Sequence, residues 1–206
     1  MKIVSQSFEI LDKIDGEAII KKIEMCGRIC YQSNPNDDIE ITKKFVKNLI
    51  DRKHESVLEH VSISIKLITD RAIANEITRH RICSISQLST RYVKFKELEV
   101  IDHGMLNNTD WHRNMLNCEQ DYLKLIEDGY PPEMARDVLP LCTKTELAMT
   151  ANLREWRHIF ELRTSPYAHP QMRELMIPLL MEFNKQIPIV FEDIVENLQK
   201  TTNKEA

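Results

Sequence analysis

Glycine is scarce in this sequence: Gly16, Gly27, Gly104 and Gly129 are the only four in 206 residues. No glycine-rich phosphate loop of either common kind can be written from them. A bound phosphate must instead be gripped by side chains, arginine above all, or by a helix N-terminus. The five cysteines, Cys26, Cys30, Cys83, Cys118 and Cys142, are odd in number and include no Cys-x-x-Cys pair. That pattern argues against a disulfide framework and against structural zinc. Cys142, which follows Leu139-Pro140-Leu141, reads as a small buried hydrophobe rather than a nucleophile. No apolar run is long enough to span a bilayer, and residues 1–11 lack the apolar core of a signal peptide. A cytoplasmic location without membrane contact is the expectation. The formal net charge is -4, so a general nucleic-acid footprint is not expected.

Hydrophobic residues make up 42% and charged residues 29% of the chain, ordinary values for a globular protein. The length suits one domain with a sizeable core. The periodicities predict a strand over 2–11, then helices over 16–31 and 38–52 separated by a turn at 33–36. Residues 57–68 alternate Val61, Ile63, Ile65 and Leu67 with polar residues, which predicts a half-buried strand. Asp70 is placed to cap a helix over 71–80. Residues 81–89 are polar and irregular, and 91–95 suggest a short strand. From 107 onward the pattern is mostly helical: 110–128, 132–138, 152–163, 170–185 and a last helix after Pro188. Residues 143–150 read as a strand between them. The expected fold is a single α+β domain spanning 1–206, with a central, mainly antiparallel sheet flanked by helices and a helical C-terminal half.

The chemistry concentrates between Arg79 and Tyr92. Arg79, Arg81, Arg91 and His80 fall in this short stretch, and Lys94 and Lys96 follow it. Clustered cations focus positive potential where an anion would bind, and guanidinium forks grip phosphate with paired charge-assisted hydrogen bonds. Glu76 lies three residues before Arg79 and shares its helical face. Ser84, Ser86, Gln87 and Ser89 then supply small neutral donors and acceptors, suited to a sugar and a base. On charge alone, a solvated basic patch at a helix C-terminus explains the stretch equally well.

The order of the residues adds more. Arg79-His80-Arg81, seven residues and then Ser89 resembles the Arg-His-Arg-x7-Ser signature of flavin-dependent thymidylate synthases, and Thr90-Arg91-Tyr92 continues the likeness. His54-Glu55-Ser56-Val57-Leu58-Glu59-His60 resembles an upstream element of that family. Pro132 to Arg136 with Leu139-Pro140-Leu141 resembles its mid-chain helix. Asn152-Leu153-Arg154 and Leu162-Arg163 resemble its C-terminal helix. These blocks keep the family's order from about residue 16 to about residue 190.

The resemblance implies reductive methylation of dUMP to dTMP. FAD and NADPH would be the hydride source and 5,10-methylenetetrahydrofolate the carbon donor, released as tetrahydrofolate. It implies a homotetramer whose active sites are shared between subunits. Glu76, Arg79, Gln87, Leu88, Ser89, Thr90, Arg91 and Arg136 would contact dUMP, with Arg136 coming from another subunit. Ser56, Arg79, His80, Arg81, Ile82, Gln87, Asn152, Leu153, Arg154 and His158 would line the flavin. Arg163 matches the arginine that stabilises uracil ionised at N3, and is the catalytic candidate. Ser89 would orient dUMP rather than attack it. Some positions depart from the pattern: Glu76 stands where some members carry Gln, Gln87 where some carry Glu, His158 where Asn can occur and Tyr167 where His can occur.

Other readings remain open on the residues alone. His54 and His60 are six residues apart, about 240° net around a helix, so a zinc-protease helix is not expected and no metal site is assigned. His103 and His112 read as isolated surface residues. Arg154 and Arg157 read as a solvated helix face, and Trp111, Trp156 and Phe160 as core packing. A nucleic-acid module built on residues 79–96, a helical interaction protein and a flavoprotein reduced to NADPH oxidation are the competing functions.

Overall fold

The computed structural model describes residues 1–205, with side chains through Thr201. The elements run β1 (Lys2–Val4), β2 (Ser7–Ile10), α1 (Gly16–Cys30), α2 (Ile39–Asp51), β3 (Ser62–Asp70), α3 (Arg71–Ile77), β4 (Cys83–Gln87) and β5 (Glu99–Ile101). There follow α4 (Thr109–Glu127), α5 (Pro132–Ala135), β6 (Lys144–Asn152), α6 (Leu153–Arg163), α7 (Pro170–Gln186) and α8 (Pro188–Glu205). Short 3-10 turns occupy Glu55–His60 and Arg136–Val138. An antiparallel sheet has the strand order β2-β3-β6-β4. A second, parallel sheet pairs β1 with β5, with Ile3 opposite Val100. This is the expected α+β class with a helical C-terminal half.

The predicted strand over 57–68 is two elements. Its first part, Glu55–His60, winds into a 3-10 turn, and pairing begins only at Ser62. The opening strand is likewise split into β1 and β2. β4 falls where an irregular segment was expected, and residues 91–95 form a turn and loop rather than a strand. β5 lies farther on and was not legible. The helix expected over 71–80 stops at Ile77, so Arg79 and His80 lie beyond it.

The chain divides into two compact units. One comprises residues 1–9, 66–81 and 85–149; the other comprises 10–65, 82–84 and 150–206. In the second, α1 starts where the Asp15 carboxylate accepts a hydrogen bond from Ala18 N at 3.0 Å, and α2 where Asp38 accepts from Glu40 N at 2.9 Å. Such caps satisfy amides that have no partner inside the helix. α1 and α2 pack through Ile20, Ile23, Val46 and Leu49, and Gly27 lets the Phe45 ring approach. Glu24 is buried there but satisfied: it accepts from Thr42 Oγ1 at 2.6 Å and from Arg28 at 3.0 and 3.1 Å. Trp156, Phe160, Phe183 and Phe191 form an aromatic core on α6, α7 and α8, with ring centroids 5.2–5.7 Å apart. The Trp156 indole N–H donates to the Ile63 carbonyl at 3.0 Å, so its polar edge is not stranded.

The first unit has a smaller core of Leu98, Val100 and Met115, against which Ile3, Trp111, Cys118 and Cys142 pack. Trp111, Trp156 and Phe160 are therefore packing residues, as expected.

Candidate active site

In the first unit, β3 delivers the chain to α3 at Asp70. The Asp70 carboxylate caps the helix by accepting from Ile73 N at 2.7 Å. Its other oxygen meets His103 Nε2 in a short hydrogen bond. His103 is therefore no surface residue: its tertiary partner lies 33 positions earlier, beyond the reach of any local pattern. α3 ends at Thr78, whose amide donates to Ala74 O at 2.9 Å, and the chain then turns out through Arg79 and His80. Arg79 and Arg81 are exposed, and neither side chain has an ion pair or hydrogen bond among the described residues. His80 is buried and Glu76 half-buried, each engaged in interactions.

β4 carries Gln87, whose amide donates to Thr145 Oγ1 at 3.3 Å, and Leu88 N donates to Glu146 O at 2.9 Å. The next turn is built on Ser89. Its Oγ accepts from Arg91 N at 3.2 Å, and its carbonyl accepts from Val93 N at 3.2 Å. No carboxylate or imidazole is hydrogen-bonded to the Ser89 hydroxyl among the described residues, so no base stands ready to activate it. Thr90 is buried beneath the turn. Arg91 lies over the Tyr92 ring, 5.2 Å from its centroid, and donates to Glu133 at 2.8 Å. Glu133 is on α5, so this pair ties the Ser89 turn to the helix that leads into Arg136. The structure thus brings together two blocks far apart in sequence. Glu133 was not among the predicted site residues, and only its tertiary partner marks it out.

Beside these lies a charged network. Lys144 reaches Glu99 at 3.0 Å and Glu146 at 2.5 Å, and Lys66 reaches Glu146 at 2.7 Å. Hydrogen bonds from Lys144 and Lys2 hold the Glu99 carboxyl below its ordinary value, and those from Lys144 and Lys66 do the same for Glu146.

The second unit holds Ser56, Ile82, Asn152, Leu153, Arg154, His158 and Arg163. Asn152 caps α6 by accepting from Glu155 N at 2.9 Å. The Glu55–His60 turn and Val61 just after it are held against α6 by three links: Leu153 N to Val61 O at 2.9 Å, Arg154 to Glu59 at 2.6 Å and Arg157 to Glu55 at 3.2 Å. Exposed Ser56 is thereby fixed near the start of α6. Arg157 does not lie on a solvated face: it is 1% exposed, and its fork grips both Asp193 oxygens at 2.8 and 2.7 Å. Arg154 is exposed, as the solvated-face reading expects, although paired with Glu59. Glu155 is buried, and burial pushes its carboxyl up while the nearby His158 charge opposes the shift. Burial likewise raises the Cys83 thiol, with Glu155 adding to it. Ile82 is 69% exposed, an apolar side chain left in the open beside the arginine segment of the sequence.

Arg163 closes α6, half-buried and engaged. Just beyond it, a pocket of about 320 Å³ opens, lined by Glu161, Thr164, Ser165, Tyr167, Ile194 and Asn197 among others. Tyr167 at its rim is 99% exposed. Among the described residues, no helix is long and apolar enough to cross a membrane.

Comparisons with known proteins follow the same residues. Residues 10–189 match the family model described as thymidylate synthase complementing protein. Similar relatives include the flavin-dependent thymidylate synthase of Mycobacterium tuberculosis (strain ATCC 25618 / H37Rv), 33% identical over 195 residues, or 83% of this chain and 78% of the relative. That of Mycolicibacterium gilvum (strain PYR-GCK) is 34% identical over 204 residues, covering 87% and 80%. That of Mycobacterium avium (strain 104) is 32% identical over 194 residues, covering 83% and 78%.

Proposed function

Since the chain belongs to the flavin-dependent thymidylate synthase family, we propose that it converts dUMP to dTMP by reductive methylation. In this reading 5,10-methylenetetrahydrofolate would be the carbon donor, released as tetrahydrofolate, and a bound FAD with NADPH would supply the hydride. The family makes the chain an enzyme that synthesises thymidylate and depends on a flavin. The co-substrates, the residue roles, a homotetramer with shared sites, action of the whole chain as one catalytic domain and a cytoplasmic location belong to the proposal.

The observation that carries it is the state of Arg79 and Arg81. Two exposed guanidiniums with no partner among the described residues stand at one turn of a chain whose net charge is -4. Unpaired forks of this kind suit phosphate groups. The residues present also suit a flavin. Arg79 and Arg81 offer donors for its pyrophosphate, exposed Ile82 offers apolar surface, and the Asn152 amide nitrogen is left over once its oxygen caps α6.

When bound, the flavin supplies the hydride chemistry that side chains lack. The protein's part is to hold, orient and polarise. Arg79, Arg91 and Arg136 hold the nucleotide's phosphate. Glu76, Gln87, Leu88, Ser89 and Thr90 set its sugar and base, and Ser89 acts as an orienting hydroxyl. The Arg163 cation beside the ring favours loss of the N3 proton and stabilises the resulting anion. Ser56, His80, Arg81, Ile82, Asn152, Leu153, Arg154 and His158 complete the flavin's surroundings.

The test is the visible spectrum of the purified, FAD-supplemented protein, followed by product analysis with dUMP, methylenetetrahydrofolate and NADPH. Bound flavin with dTMP and tetrahydrofolate as products is expected. NADPH oxidation without dTMP would leave an oxidase, and absence of flavin binding would refute the reading.

A further inference from the structure

Glu155 belongs to none of the residue sets that the family pattern implies for this chain, yet it stands among them on α6. It lies in the first turn of that helix, where its backbone N–H donates to Asn152 Oδ1 at 2.9 Å. His158 follows three residues later, so the two side chains are neighbours on the helix surface. A carboxylate oxygen of Glu155 and a ring nitrogen of His158 lie within 4.8 Å of one another. Glu155 is 7% exposed, whereas His158 is exposed. The pair therefore has a sheltered acidic end and an open imidazole end.

A buried carboxylate is costly unless a cation or donor answers it. Arg154 and Arg157 flank Glu155 in sequence but are committed elsewhere, Arg154 to Glu59 and Arg157 to Glu55 and Asp193. Cys83 on β4 feels the same carboxyl, but a thiol brings no positive charge; burial, and then Glu155, push it up. Burial also pushes the Glu155 carboxyl up, and the charge that opposes this is that of His158. The pairing has a consequence for the ring. A neutral imidazole has one donor and one acceptor nitrogen, and its partners decide which is which. A carboxylate only accepts, so the nitrogen that faces it must carry the proton. The outward nitrogen is then defined as well: an acceptor in the neutral ring, a donor in the protonated one.

We propose that Glu155 is a positioning residue for the bound flavin: it fixes the orientation and tautomer of the His158 ring, so that the outward nitrogen meets the flavin in one defined state. The inference rests on the proposed function, in which His158 lines the flavin. The competing account is structural, because Asn152-Leu153-Arg154-Glu155 also fits a capping box. Glutamine serves a capping box as glutamate does, but its amide can donate as well as accept and so no longer dictates the tautomer. Glu155→Gln separates the two accounts.

The test titrates flavin-free protein with FAD, followed by flavin fluorescence, for wild type, E155Q, H158N and the double variant. E155Q should weaken FAD about threefold to tenfold, the difference between a charge-assisted and a neutral hydrogen bond. In the H158N background the same change should alter affinity by less than about twofold, since a residue that acts through another has no effect once that other is gone. The visible spectrum of bound flavin should differ between wild type and E155Q and coincide between H158N and the double variant. Flavin-free melting temperatures of wild type and E155Q should agree. Equal losses in the two backgrounds would overturn the inference, since they point to capping or packing. Should E155Q fail to fold, E155D, which keeps the charge on a shorter stem, enters the same cycle, and its loss of affinity should likewise vanish with H158N. FAD bound equally by wild type and E155Q would defeat this inference alone. Wild type that binds no FAD would defeat the proposed function and the inference with it.

Discussion

Replacing Arg157 with methionine tests a buried electrostatic commitment in the second unit. The side chain is 1% exposed and makes two hydrogen bonds to Asp193, at 2.8 and 2.7 Å, and one to Glu55 at 3.2 Å. It also donates to the Val190 carbonyl. Methionine fills much of the aliphatic stem, so the loss is mainly electrostatic and little cavity opens. What remains is a pair of carboxylates, 18% and 36% exposed, that have lost their common cation. Removing one partner of a buried pair costs about 3–5 kcal/mol, a large part of the roughly 5–15 kcal/mol that holds a domain folded. Urea unfolding followed by circular dichroism measures the difference.

The pH dependence adds a second check. Burial pushes the Asp193 carboxyl up, but hydrogen bonds and charge from Arg157 outweigh it and hold the group below its ordinary value. A depressed carboxyl stabilises the fold above its unfolded value near about 4, and that contribution is lost as pH falls through the folded value. The gap between wild type and R157M should therefore narrow below about pH 4. A cost under about 1 kcal/mol at pH 7, or a gap unchanged at pH 3, would refute the reasoning.

Four other substitutions or modifications probe separate features. Arg79→Ala should weaken both flavin retention and dUMP binding, read by flavin content and by titration; unchanged binding of both would show the arginine segment serves something else. Arg163→Ala should lower kcat more than it lowers the melting temperature, and normal dTMP formation by the folded variant would remove Arg163 from the chemistry. Gly16→Ala should destabilise by about 1–3 kcal/mol despite alanine's better helix propensity, because the new Cβ would overlap the Gln186 carbonyl oxygen; a raised melting temperature would contradict that close approach. The Cys142 thiol, pushed up to about 11 by burial and by nearby Asp70, should alkylate more slowly at pH 8 than exposed Cys30. Mass spectrometry of iodoacetamide-treated protein gives the order, and equal rates would contradict it.

Local physics made much of this molecule legible in the sequence. Period-two alternation from Val61 to Leu67 marked the buried strand, and Asp70 was readable as the cap of α3 because capping needs only a short polar side chain three residues before an amide. The Arg-His-Arg segment and the helical C-terminal half were equally local patterns. β4 escaped because its outward positions are Ser84 and Ser86, so it shows no strong apolar alternation. Residues 57–60 misled because an apolar pair can face a core from a 3-10 turn as well as from a strand.

Tertiary structure decided what pairs with what. Arg157 reads as a solvated charge until α8 brings Asp193 to it, 36 residues later in the chain. His103 reads as a surface residue until Asp70, 33 residues earlier, takes its ring nitrogen. Arg71 carries no signal of its own; only tertiary hydrogen bonds tie its backbone to Leu141 and Thr143. Helix and strand periods follow from the covalent chain and specify which face is apolar. The partner of a charge depends on which distant elements meet, and the free energy of that meeting is spread over the whole core rather than written at the residue itself.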